Sequence, residues 1–176
     1  MDYFTIQVRT GSEDKFIKLF SNIHPELRTK LVFPRRRLKV RRVGKTVDEL
    51  APVFPGYIFV ETEAYGTVLK LDPRLYWAVR KTDGFFRFLK SNQDVRPLEG
   101  KDLSTVRHFI GFGAVAEKSK VWFDDHDRIV IAEGPLKGLE GCIVKVDKRK
   151  GRAKIKLDLY DDSFSIDLAF EVIART

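Results

Sequence analysis

Seven cations, Arg35, Arg36, Arg37, Lys39, Arg41, Arg42 and Lys45, fall within eleven residues, and no carboxylate interrupts them before Asp48. Guanidinium and ammonium groups at that density have no neighbours in sequence to neutralise them. The chemistry they suit is charge-assisted contact with phosphate rather than the making or breaking of bonds. A competing reading is a sheet edge kept soluble by its own charge; the unbroken run favours phosphate. A second cluster, Lys148, Arg149, Lys150 and Arg152, surrounds Gly151. The whole chain of 176 residues leans the same way, with 33 basic against 25 acidic side chains and a net charge of +8, a balance that favours an anionic partner.

Residue types that could do covalent chemistry are not arranged for it. No nucleophile has a paired base in view, no glycine-rich phosphate loop precedes a helix, and no carboxylate pair has a recognisable catalytic setting. The chain is therefore read as a binding protein with no enzymatic activity and no cofactor. His24 and His108 read as surface or capping residues. Asp124, Asp125, His126 and Asp127 lack the alternating positions and terminal Glu of a calcium loop, so a solvated turn is expected. The lone Cys142 excludes an internal disulfide and leaves structural zinc without its usual thiolates. With no apolar N-terminal segment and no apolar run of about 18 residues, nothing reads as secreted or membrane-spanning, and a cytoplasmic location is expected.

The elements that would position these cations follow from periodicity. Tyr3-Phe4-Thr5-Ile6-Gln7-Val8 reads as a strand, and after Gly11 the N-cap Ser12 opens a helix with Phe16, Phe20 and Ile23 on its apolar stripe. In residues 32–42 a proline breaks the ladder at Pro34, and Leu38 and Val40 then alternate with basic residues as a strand with one basic face. Residues 43–52 read as a connection, and Tyr57-Ile58-Phe59-Val60 as a central strand, apolar on both faces and entered through the turn at Pro55-Gly56. The strands on either side of the connection are expected to pair as a hairpin. Asp72-Pro73 starts a second helix, Phe85 to Leu89 form another strand, and Pro97 to Ile110 a third helix. The order β-α-β-β-α-β predicts an antiparallel sheet flanked by helices. Short runs between residues 128 and 173, parted by turn signals, predict a small β-barrel. The fold class expected is α+β, with an N-terminal domain at 1–111, a linker at 112–125 and the barrel at 126–176.

The motifs in this order resemble the NusG family of transcription elongation and antitermination factors. Tyr3 to Val8, Gly11, the Pro34 strand and Phe54-Pro55-Gly56-Tyr57 resemble the NusG N-terminal domain. Asp127-Arg128-Ile129-Val130-Ile131, Glu133 to Gly138, Gly141 and Val144-Lys145-Val146-Asp147 resemble an SH3-like KOW barrel. The resemblance implies a monomeric factor that modulates pausing, termination and antitermination. It implies that Phe54, and behind it Tyr57, contact the clamp helices of RNA polymerase, and that Tyr76 and Trp77 touch the opposite side of the polymerase cleft. Phe54 can also be read from its own residues as packing locally.

The family's KOW domain implies further contacts with a termination factor or a ribosomal protein. The loop that serves them in the general factor carries a glycine and an arginine, where this chain has Tyr160-Asp161-Asp162. That departure, with the basic clusters, points to a specialised LoaP-like or RfaH-like paralogue. Nascent RNA or non-template DNA would then be contacted through Arg35, Arg36, Arg37, Lys39, Arg41, Arg42, Lys148, Arg149, Lys150 and Arg152. The alternative is a ribosome-associated or free RNA-binding KOW protein acting in translation.

Overall fold

A computed structural model describes residues 1–63 and 71–174. Its elements run β1 (Asp2–Val8), α1 (Glu13–Ile23), β2 (Lys30–Val32), β3 (Arg35–Arg42), β4 (Lys45–Pro52), β5 (Tyr57–Thr62), α2 (Pro73–Lys81), β6 (Phe85–Phe88), α3 (Gly100–Ile110), β7 (Val115–Ala116), β8 (Ser119–Phe123), β9 (Ile129–Glu133), β10 (Ile143–Asp147), β11 (Arg152–Leu159) and β12 (Asp162–Val172). The class is α+β. Packing divides the chain into two compact units, residues 1–33 with 54–104 and residues 34–53 with 105–176.

In the first unit the strands lie in the order β2-β5-β1-β6, every neighbour antiparallel. Taken along the chain this is β1-α1-β2 followed by β5-α2-β6, the expected β-α-β-β-α-β order with the hairpin β3–β4 let into its middle. β5 is central because side chains on both its faces can be buried: Ile58, Phe59 and Val60 are all fully enclosed. Ile58 and Val60 join Phe4, Ile6 and Val8 of β1, Phe16 and Phe20 of α1, Leu75, Ala78 and Val79 of α2 and Phe88 of β6 in one apolar cluster. Ile23, expected on the α1 stripe, is instead exposed, because it sits in the last helical residue where the chain has already turned toward Pro25.

The turn into β5 is held from α1. Glu13, at the start of α1 and itself buried, accepts from the amide of Gly56 at 2.7 Å and from that of Gly11 at 2.8 Å. Gly56 has φ 83°, and a Cβ there would come within 3.0 Å of Thr10 Oγ1, so both conformation and space call for glycine. Asp72 caps α2, its side chain accepting from the Arg74 amide at 2.8 Å, with Pro73 following where its missing donor costs nothing.

The break expected at Pro34 separates β2 from β3, since proline cannot donate to a ladder. Other expectations are corrected. The connection expected at 43–52 is itself a strand: β4 pairs with β3 in register from Arg35↔Pro52 to Arg42↔Lys45. The hairpin partner of β3 is thus β4, and β5 pairs with β1 and β2. Residues 112–125, expected as a linker, contain β7 and β8.

The second unit joins the hairpin β3–β4 to the C-terminal strands. β7 lies parallel to β3 through Arg35↔Val115 and Arg36↔Ala116. The remaining strands form a five-stranded sheet in the order β10-β11-β12-β8-β9. β11 alternates as a half-buried strand should: Ala153, Ile155, Leu157 and Leu159 are buried, while Lys154 and Lys156 between them are exposed. Tyr160 and Asp161 both have positive φ, 50° and 67°, and close the β11–β12 hairpin as the two-residue turn whose twist suits paired strands.

Candidate nucleic-acid and partner interfaces

Along β3 the side chains alternate between two fates. Arg36 points into the second unit, where its Nε donates to the Asp167 carbonyl at 2.7 Å and a terminal nitrogen donates to the Pro52 carbonyl. Burial lowers its pKa to about 10; Asp167 pulls it up and the nearby Arg152 guanidinium pushes it down. Leu38, two residues on, is buried. The opposite row is Arg35, Arg37, Lys39 and Arg41. Arg35 is half-buried. Arg37 is engaged by Glu117, whose Oε2 accepts from its Nε at 2.9 Å, and this bond raises the Arg37 pKa. Lys39 and Arg41 are exposed and stand in no ion pair among the described residues. Arg42 pairs with Glu49 across the hairpin at 2.6 Å.

The second cluster divides similarly. Lys148 is bonded to Asp127 and lies 4.0 Å from the centroid of the Phe123 ring. Arg149 and Lys150 are exposed. The amide of Lys150 donates to the Asp147 carboxylate at 2.9 Å, and this bond, with the Lys150 and Lys145 charges, holds the Asp147 carboxyl below the usual carboxylate range. Arg152 reaches back to β3: a terminal nitrogen donates to the Lys39 carbonyl, and another lies 3.8 Å from Asp167 Oδ2.

The two basic clusters, far apart in sequence, are therefore joined inside one unit. Lys145 and Lys154 were missed by the sequence reading. They are direct cross-strand partners on β10 and β11, and the alternation of β11 was the signal that could have pointed to Lys154. Lys145, Lys150, Arg152 and Lys154, with Asp147 and Asp167, line a small notch of about 90 Å³.

Of the aromatic candidates in the first unit, Phe54 is fully buried, with its ring edge-on to Phe59 at 5.3 Å between centroids. Of the two readings of Phe54, the structure has the one in which it packs inside the protein. Tyr57 is half-buried on the same sheet face as Phe59. Tyr76 is stacked on Phe88 at 5.1 Å and donates its hydroxyl to the Asn92 carbonyl at 2.8 Å. Trp77 is 52% exposed. The Arg80 guanidinium sits over both rings, 5.5 Å from Tyr76 and 5.3 Å from Trp77, which presents an aromatic face with a fixed cation beside it.

The acidic cluster at 124–127 is a turn built on one carboxylate. Asp124 accepts from the amides of His126 and Arg128, each at 2.9 Å, and from Arg128 Nε at 2.8 Å. Among the described residues no group of three or more His, Cys, Asp or Glu could hold a metal ion, and no helix is long and apolar enough to cross a membrane.

Against known proteins, residues 1–107 match the family model described as "Transcription termination factor nusG". The chain is 21% identical over 181 residues to the "Transcription termination/antitermination protein NusG" of Helicobacter pylori (strain J99 / ATCC 700824), covering 99% of this chain and 98% of that one. It is also 21% identical over 196 residues to the Deinococcus radiodurans protein of the same description, covering 99% of both. A solved structure described as "Domain interaction in Thermotoga maritima NusG" shares the fold at a TM-score of 0.53 and 16% identity, over 96% of this chain and 93% of that one.

Proposed function

The chain belongs to the NusG family, whose members are transcription factors and not enzymes, and from that premise we propose that it binds RNA polymerase in the cytoplasm and modulates pausing, termination and antitermination. The observation that carries this reading is the exposed Trp77 with Tyr76 and Arg80 on α2, a rigid aromatic and cationic anchor of the kind that dominates protein interfaces. Tyr57 on β5 contributes to the clamp-helix contact. Phe54, buried behind it against Phe59, supports that face from within. The factor acts as a ligand of the polymerase, and it shifts pausing only through a difference in affinity for the paused and elongating states.

The C-terminal strands β8 to β12 serve as a KOW domain, and the basic clusters of the second unit contact nascent RNA. The acidic turn Tyr160-Asp161-Asp162, where the general factor has a glycine and an arginine, supports a specialised LoaP-like or RfaH-like role over contact with a termination helicase or ribosomal protein.

Co-elution with purified bacterial core RNA polymerase at moderate salt tests the reading. The wild type should co-elute, and Trp77→Ala should weaken binding roughly tenfold or more, as loss of an aromatic hot spot does. Phe54→Ala is a poor probe because a buried ring removed costs stability whatever it touches. Failure of the wild type to co-elute, with sedimentation on ribosomes instead, would move the protein to translation.

A further inference from the structure

Lys145 and Lys154 face each other directly across the β10–β11 ladder, both exposed and neither in an ion pair among the described residues. Like charges in that register work against pairing of the strands, offset in part by Asp147 and by Asp167, the latter directly opposite Lys154 on β12. They line the 90 Å³ notch with Lys150 and Arg152, four cations against the two carboxylates Asp147 and Asp167. Both carboxylates are engaged, Asp147 by the Lys150 amide and Asp167 by Arg152. Arg152 closes one wall by its bond to the Lys39 carbonyl, and its Nε is buried with no hydrogen-bond partner among the described residues. The backbone of Lys39 therefore borders the notch, and Lys39 and Arg41 carry exposed cations along one row of the same strand.

We propose that this notch and the Lys39–Arg41 row form one continuous phosphodiester track for single-stranded RNA, with one phosphate seated between Lys145, Lys150 and Lys154 and its neighbours lying against Lys39 and Arg41. This rests on the reading that the second unit contacts RNA, and adds that the binding site is composite, shared between a hairpin from the N-terminal half and the C-terminal barrel. The notch has room for a phosphate group but not for a base. A single strand can bend at each phosphodiester to enter it, whereas a duplex holds its phosphates on a stiff convex surface.

The test is fluorescence anisotropy of a labelled mixed-sequence 20-mer RNA with the full chain between 50 and 200 mM salt. Lys39→Glu and Lys154→Glu should each weaken binding several-fold or more and flatten the slope of log K against log salt by about 0.7 for each phosphate no longer neutralised. Lys18→Glu, the same charge change on exposed α1 of the first unit, should do neither. Circular dichroism and a melt accompany each variant, and Lys39→Gln and Lys154→Gln stand in if a reversed charge disturbs folding. Weakening by Lys154→Glu but not by Lys39→Glu would overturn the composite track and leave an RNA-binding barrel. If the wild type co-elutes with polymerase but binds no RNA, the RNA reading fails and the track with it, while the polymerase reading stands. Tighter binding of a 20-base-pair DNA duplex than of the RNA would overturn the assignment to a single strand.

Discussion

Glu13 and Gly56, 43 residues apart, are joined by a buried hydrogen bond of 2.7 Å in which the carboxylate at the start of α1 holds the amide that begins the turn into the central strand. The same carboxylate takes the Gly11 amide with its other oxygen. One side chain thus fixes both the entry to the first helix and the entry to β5. Glu13→Ala leaves two amides without their acceptor, one of them buried, and should cost about 2–3 kcal/mol in urea unfolding. Glu13→Gln, which keeps one acceptor oxygen, should lose less.

Gly134 has φ 105°, and a Cβ there would fall 2.6 Å from the Cα of Ser119. The obstacle is backbone and cannot swing away. Ser119 is itself fixed, fully buried with its hydroxyl accepting from the Leu136 amide at 2.9 Å. Gly134→Ala should destabilise by about 3 kcal/mol or more, the sum of left-handed strain and overpacking, and should show first as a lowered melting temperature.

Arg36 and Lys39 are predicted to behave oppositely, although both belong to the same basic run. Arg36→Ala removes a charged donor from two carbonyls and should cost about 2 kcal/mol; Arg36→Met, which fills the space without a buried charge, should cost less. The sign of the pH dependence follows from burial. The Arg36 pKa is lowered to about 10 in the folded chain by burial, so above that value the folded state gives up its proton before the unfolded state does, the unfolded state binds more protons, and stability rises with pH. Below about 10 the desolvation cost is fully present. The wild type should therefore gain stability relative to Arg36→Met as pH climbs from about 9 to about 11, read as the difference in urea midpoint.

Asp72 caps α2 and so carries the helix that presents Trp77. Its carboxyl is held below the ordinary range first by the Arg74 amide and then by the Arg74 side chain. Asp72→Ala should cost about 1 kcal/mol. With a lowered folded pKa, the stabilisation is present above the unfolded value near about 4 and is lost as pH falls through the folded one; the variant should lack that acid-side loss. Trp77→Ala, by contrast, should leave the melt nearly unchanged while it weakens polymerase binding.

Much of this architecture was legible because the signals were local. β1, α2 and β11 each carry their own periodicity, and Asp72-Pro73 announces a helix without reference to the rest of the chain. β4 was not legible: Lys45 to Leu50 is exposed at nearly every position, so no buried face imposes a period of two on its residue types, and only its ladder with β3 makes it a strand. The role of Glu13 was hidden for a different reason. Its partner lies in another element, and a glutamate at the start of a helix is already explained by the helix dipole. The basic run at 35–42 was visible as charge, but the division between Arg36 inside and Lys39 outside depends on which face of β3 is packed. Composition cannot report that. Phe54 was open between two readings in the sequence for the same reason.

The hairpin β3–β4 leaves the first unit after Phe33 and returns to it at Phe54, so the chain passes between its two units three times rather than once. The C-terminal region is consequently not a cassette. A piece cut at residue 105 would lack two strands, the Lys39 carbonyl that Arg152 holds and the Arg36 guanidinium that holds the Asp167 carbonyl. One nick near that position would leave the units still joined by two strands of backbone, and grafting a foreign barrel after α3 would strand the hairpin without the surface it was selected to fit.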